Sequence, residues 1–224
     1  MPGEGATGIL FVISAPSGTG KSTVARRLLD RVSGLEFSVS YTTRTQREAE
    51  QAGRDYHFVE RERFEEMVAK RDLLEWADVF GEYYGTGLDA TRKALADGRC
   101  LLLDIDVQGA RKVRKGDVPN VSVMLLPPDF QTLESRLRSR GSESESELAR
   151  RLARAREEAE DYRYFDYVLV NDEVDRTVSQ LESIVRAERC STSRSADQAQ
   201  RILATFPPNG KEAKEHGCTR SPKN

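Results

Sequence analysis

Short, unbroken apolar runs recur along most of this chain, and amphipathic stretches separate them. The runs are Ile9–Ser14 (ILFVIS), Cys100–Ile105 (CLLLDI), Val121–Leu126 (VSVMLL) and Tyr167–Val170 (YVLV). Runs this short, with little polar alternation, predict strands buried on both faces of a parallel sheet. Between them, helical spacing predicts helices from Lys21 to near Ser33-Gly34 and over Leu88–Ala96, Val107–Lys115, Asp129–Arg140, Leu148–Tyr164 and Val174–Arg189. Gly34 suits a helix C-terminus and Asp129 an N-cap. Strand and helix in alternation predict an α/β fold, a parallel sheet flanked by helices.

The pattern breaks between Tyr41 and Tyr84. The stretch TTRTQREAEQAGRDYHF is polar and rich in arginine, and it holds no long apolar strand. Glu36–Ser40 and Asp55–Val59 read as short strands. Glu60–Lys70 reads as a helix with Phe64, Met67 and Val68 on one face, and Leu73–Phe80 is followed by GEYYGTG, which reads as a Gly-Tyr turn. Residues 40–85 are therefore expected to form a subdomain inserted into a core made of 1–39 and 86–190. A second break, RSRGSESESE, lies in a segment of about 138–155. Residues 1–7 and 191–224 lack an apolar period, which predicts a mobile lead and a mobile tail, with one helical turn near Gln198–Ala204.

Composition narrows the function. With 224 residues the chain has room for one domain with small insertions. Its 35 basic and 37 acidic side chains nearly cancel, so overall charge gives no sign of a nucleic-acid partner. Three cysteines without metal-ligand spacing predict a reducing compartment, and two histidines leave little for histidine-based metal chemistry. No stretch approaches the roughly 20 apolar residues of a membrane span, and no basic segment precedes the first apolar run. The expected location is the cytoplasm.

The sharpest chemical signal directly follows the first strand. Residues 15–22, Ala15-Pro16-Ser17-Gly18-Thr19-Gly20-Lys21-Ser22, fit the phosphate-binding pattern G-x-x-x-x-G-K-[ST], with alanine in place of the first glycine. Strand, glycine loop and helix in that order let backbone N–H groups surround phosphate oxygens at the positive end of a helix. Lys21 can reach the β- and γ-phosphates, and the Ser22 hydroxyl suits Mg²⁺.

Taken together, SAPSGTGKST, SYTTRTQREAE, GRDYHFV, LLEWADVFGEYYGT, LLLDIDVQGA, RGSESESELARRL and YVLVND resemble the guanylate kinase family in kind and in order. The similarity extends to about Glu188. It implies a P-loop NTPase fold with a GMP-binding insert and a small lid at about 138–155. It also implies transfer of phosphate from ATP, with Mg²⁺, to GMP or dGMP. Asp104 is then expected across from the P-loop as an acid that helps hold Mg²⁺ or its water. The resemblance implies that Arg44 and Arg47 grip the GMP phosphate, since a guanidinium fork matches phosphate oxygens, with Tyr56, Tyr84 and Ser40 beside them. Glu75 and Thr86 would read guanine, with Asp106 near its amino group. Arg140 and Arg151 belong to the implied lid and would stabilise the moving phosphoryl group, while Arg136 and Asn171 would serve ATP. Ala49 stands where many relatives have glycine, and Gln51-Ala52 also depart from the usual pattern. A catalytically inactive binding module of the same fold, or a kinase with another acceptor, are the competing expectations. A regulatory GTPase does not fit, because its N-K-x-D sequence is absent. The oligomeric state is left undecided.

Overall fold

The computed structural model describes residues 8–79, 81–139 and 145–207. Its centre is β1 (Leu10–Ser14), every residue of which is buried. β1 pairs in parallel with β7 (Cys100–Asp104) on one side and β8 (Asn120–Leu126) on the other. β2 (Leu35–Phe37) and β9 (Tyr167–Val170) complete a five-stranded parallel sheet in the order β2-β7-β1-β8-β9.

The apolar runs have no alternation because both faces of this sheet are covered. Ile9, Phe11 and Ile13 face α1 (Lys21–Arg31) and α7 (Val174–Arg189) through Val24, Leu28, Val178 and Leu181. Leu10 and Val12 point the other way, with Leu101 and Leu103, toward Ala94 of α3 (Leu88–Ala96) and Val107, Ala110 and Val113 of α4 (Val107–Lys115). Full burial of such a side chain contributes about 1.5–3 kcal/mol, so β1 is held from both sides. Its C-terminal end has little freedom to move.

The insert has its own sheet. β3 (Ser40–Thr42), β4 (Tyr56–Phe58), β5 (Leu73–Val79) and β6 (Glu82–Gly87) form four strands in the order β4-β3-β6-β5. α2 (Arg61–Lys70) covers this sheet with Phe64 and Met67, and the Phe64 ring lies 5.5 Å from that of Tyr83.

Several expectations change here. The single strand expected over Glu36–Ser40 is two strands in different sheets, so Ser38 and Val39 carry the chain from core to insert. The turn expected at GEYYGTG is strand β6, paired antiparallel with β5. Aromatic packing of Tyr83 against Trp76 and Phe64 outweighs the weak strand preference of glycine there. The reversal sits at Gly81 instead, at φ 90°, where its N–H donates to Asp78 Oδ1. α5 (Phe130–Arg138) starts after Asp129, whose carboxylate accepts the Thr132 N–H at 2.6 Å. α6 runs Glu145–Glu160 and gives way to a 3-10 turn over Asp161–Tyr164, so it begins earlier and ends sooner than the spacing implied. It packs on α5 through Leu133, Leu137, Leu148 and Ala155.

Beyond Ser191 a twelve-residue helix, α8 (Thr192–Leu203), stands where the sequence suggested one turn. None of its residues is buried. A long hydrogen bond of 3.4 Å from Arg194 to the Gly8 carbonyl links it to the core. Truncation after Cys190 is therefore expected to leave kcat/KM within about twofold and Tm nearly unchanged. A large loss of activity in the folded, shortened protein would show that the tail has a docked role.

Candidate nucleotide site

The turn after β1 builds a cradle. Thr19 is fully buried, and both its N–H and its hydroxyl bond back to the Pro16 carbonyl, at 3.2 and 2.8 Å. Gly18 and Gly20 take φ values of 93° and 95°, which disfavour any side chain. A Cβ on Gly18 would lie 2.8 Å from the Leu137 side chain, and one on Gly20 would lie 3.0 Å from Asn171 Nδ2. Ala15 is not among the positive-φ residues, so alanine in place of the usual glycine brings no strain. No side chain caps α1, and its first turn has no acidic residue. The positive end of the helix is thus left for an anionic ligand. A cleft of about 250 Å³ opens over residues 15–23 and is also lined by Val79, Asp106, Arg151, Arg154 and Glu158.

Lys21 turns back across the cleft and bonds to Asp104. The pairing of β1 with β7 places Asp104 beside Ile13, directly behind the loop. Burial pushes the Lys21 ammonium down to about 8, while Asp106, Glu158 and Glu75 pull it up. Ser22 is exposed in the first turn of α1.

Distant residues clamp the loop from behind. Asn171 Nδ2 donates to the Thr19 carbonyl at 2.7 Å, and Arg136 donates to the same carbonyl at 3.2 Å and to the Asn171 carbonyl at 3.1 Å. Arg151 donates to Ser17 Oγ at 2.8 Å. Arg136 and Asn171, expected next to ATP, thus bind the backbone of the phosphate loop. Asn171 Oδ1 is buried without a hydrogen-bond partner.

The insert brings a second group of polar residues together. β5 and β6 place Glu75 opposite Thr86, and the Thr86 hydroxyl donates to Glu75 Oε1 at 2.7 Å. Both side chains are buried, with Glu75 4% exposed and Thr86 1%. Glu75 Oε2 rests so close to α4 that a Cβ on Gly109 would lie 2.6 Å from it. Burial pushes the Glu75 carboxyl up to about 7; the Thr86 hydrogen bond lowers it and the Asp106 charge raises it. Asp106 caps α4, with Oδ1 accepting the Gly109 N–H at 2.8 Å.

At the far edge of the insert, the Arg44 guanidinium lies 5.5 Å from the Tyr56 ring, and the Tyr56 and Tyr84 rings are 5.8 Å apart. Ser40 is buried in β3, paired with Tyr56 across the strands. Arg44 donates to Glu50 at 2.6 Å, and the Arg47 backbone N–H donates to the other Glu50 oxygen at 2.9 Å. The Arg47 side chain stays exposed. The Glu50 hydrogen bond, with help from Tyr84, raises Arg44 further above its ordinary range.

Arg140 lies outside the described residues. Sequence reasoning missed Glu50, Arg154 and Glu158. Arg154 and Glu158 sit in a helix crowded with charge, where nothing in the spacing singles them out; Glu50 lies in an equally charged loop.

A P-loop at the mouth of a parallel sheet, facing a buried carboxylate–hydroxyl pair in a separate insert, defines a P-loop phosphotransferase of the nucleotide-kinase class. The sequence profile described as Guanylate kinase matches residues 8–188. The chain is 48% identical over 190 residues to a guanylate kinase of Rhizobium meliloti (strain 1021), covering 84% of this chain and 86% of that one. It is likewise 48% identical over 187 residues to one of Neisseria meningitidis serogroup B, covering 84% and 91%. The crystal structure of guanylate kinase from Anaplasma phagocytophilum superposes with a TM-score of 0.73 at 33% identity, over 91% of this chain and 98% of that one. The chain belongs to the guanylate kinase family.

Proposed function

We propose that the protein transfers the γ-phosphoryl group of ATP to GMP or dGMP, giving ADP and GDP, as a cytoplasmic enzyme of purine nucleotide metabolism. The observation that carries this reading is the buried Glu75–Thr86 pair beside the P-loop cleft. Guanine presents donors at N1–H and N2–H₂ and an acceptor at O6. An ionised Glu75 accepts from both donors, and the Thr86 hydroxyl turns to donate to O6. Asp106 stands next to the base amino group. Adenine would set its N1 acceptor against the carboxylate and leave buried partners unmatched.

The ATP end is assigned to the loop. Backbone N–H groups of the loop after Pro16, up to Ser22, surround the phosphates, and Lys21 leaves Asp104 to neutralise charge on the β- and γ-oxygens. Arg136 and Asn171 keep the Thr19 carbonyl turned away from the phosphates, and the unpartnered Asn171 Oδ1 offers an acceptor to a donor on the nucleotide. Ser22 and Asp104 supply hard oxygen donors that suit Mg²⁺. Among the described residues no group of three or more histidine, cysteine, aspartate or glutamate side chains is placed to hold a metal ion, and these two would hold it together with phosphate oxygens and water. When bound, Mg²⁺ withdraws charge from the phosphates. Arg44, Arg47, Tyr56, Tyr84 and Ser40 fix the acceptor phosphate in line. Arg151 faces the phosphoryl group in flight, where preorganised charge has its largest effect, and the family resemblance assigns Arg140 the same role.

The intact P-loop favours catalysis over a purely peptide-binding role. Among the described residues no helix is long and apolar enough to cross a membrane. The test is ADP release with ATP and GMP, AMP, CMP or UMP as acceptor. GMP is expected to exceed the others by at least about 10³-fold in kcat/KM, because unmatched buried hydrogen-bond partners discriminate strongly. Equal use of AMP would reject the assignment of Glu75 and Thr86.

A further inference from the structure

We propose that Arg154 is a positioning residue that couples acceptor binding to ATP binding through α6. The inference rests on the assignment of the two nucleotide sites above. Arg151, Arg154 and Glu158 recur at intervals of three and four on α6, which puts them on one face of the helix. That face meets the P-loop: Arg151 donates to Ser17 Oγ at 2.8 Å, and Glu158 faces the Ser17 backbone N–H. Arg154 lies between the two sites. Its Nε donates to Glu158 Oε1 at 2.7 Å, and its Nη2 reaches Asp106 Oδ2 at 3.4 Å, an oxygen that Gln108 Nε2 also approaches at 3.1 Å. Asp106 belongs to the acceptor side, since it caps the first turn of α4, the turn against which Glu75 rests.

The bridge is therefore tight at the P-loop end and slack at the acceptor end. A base donor that fixes the Asp106 carboxylate would close the slack contact and order Arg154. α6 then holds Ser17 and Arg151 before ATP arrives, so less ordering is left for ATP to accomplish. The sign of the coupling is positive, and by linkage ATP must tighten GMP binding by the same factor.

The experiment is calorimetric titration of the full chain with the non-hydrolysable analogue AMP-PNP and Mg²⁺, with and without saturating GMP. The wild type is expected to bind AMP-PNP at least about fivefold more tightly with GMP present, the lower end of ordinary coupling. Arg154→Met is expected to bring that ratio to about one, while each nucleotide alone binds within about threefold of wild type and Tm is unchanged. Arg154→Lys, which keeps the charge without the fork, should fall between them. Glu158→Gln, which weakens the P-loop end, should also lower the ratio and decides the matter if Arg154→Met fails to fold. A wild-type ratio of one, a ratio below one, or an undiminished ratio in these variants would overturn the inference alone. Failure of the wild type to bind GMP or AMP-PNP separately would overturn the functional reading and this inference with it.

Discussion

Replacing Lys21 by alanine is expected to lower kcat by at least about 10²–10³-fold, the scale on which one preorganised charge or donor acts in a transition state. The fold should survive. Lys21 lies at the mouth of the sheet rather than in either face of the core, and its close partner is Asp104. Removing the ammonium leaves Asp104 without this cation, so a small stability change is expected and is tested separately by thermal unfolding. The decisive measurement is steady-state kinetics with GMP and ATP each varied. A well-folded Lys21→Ala protein with near-normal kcat would mean that the cleft over residues 15–23 does not hold the triphosphate.

Glu75→Gln is expected to lower kcat/KM for GMP at least tenfold while leaving ATP binding nearly intact. Losing one charge-assisted hydrogen bond costs about 1.5–3 kcal/mol, and glutamine also turns an NH₂ toward a guanine donor. The raised pKa adds a signature of its own. With the Glu75 carboxyl at about 7 and the Lys21 ammonium at about 8, kcat/KM for GMP should rise as pH passes 7 and fall above 8. Glu75→Gln should remove the limb near 7, leaving on the acid side only the one near pH 6 that belongs to the nucleotide phosphate, whose second pKa is about 6, and should keep the fall above 8 that belongs to Lys21.

Stability should move the other way. The folded Glu75 binds its proton more tightly than the unfolded chain, whose carboxyl titrates at the ordinary 4.5. Between 4.5 and about 7 the folded state therefore carries the extra proton, and its stability declines as pH rises through that window. Above 7 the buried charge costs up to about 3 kcal/mol. The glutamine side chain introduced by Glu75→Gln never ionises, and its carbonyl still accepts from Thr86. Urea unfolding should then show Glu75→Gln gaining on the wild type between pH 5 and pH 8. A difference that does not grow with pH would mean that Glu75 is already ionised in the free protein, and would leave its raised pKa out of the mechanism.

The phosphate loop was legible in the sequence because its parts are consecutive. A buried strand, two glycines that must take positive φ, and Lys21-Ser22 at a helix start lie within about a dozen residues, so local stereochemistry alone specifies the cradle. The parallel sheet was legible for a similar reason: strands covered on both faces need unbroken apolar runs, and helices between them need the other period. The acceptor side depended on pairing between segments. Glycine and tyrosine in GEYYGTG suggested a turn, and only antiparallel pairing with β5 makes the segment a strand and sets Thr86 against Glu75. The contacts of Arg136 and Asn171 also depend on segments distant in sequence, because a carbonyl at Thr19 is their partner and no spacing records it. Glu50 on Arg44, and Glu158 with Arg154 behind Ser17, were hidden among similar charges. A charged side chain on a helix or loop acquires its function from what is folded against it, and that is set by packing between elements far apart in the chain.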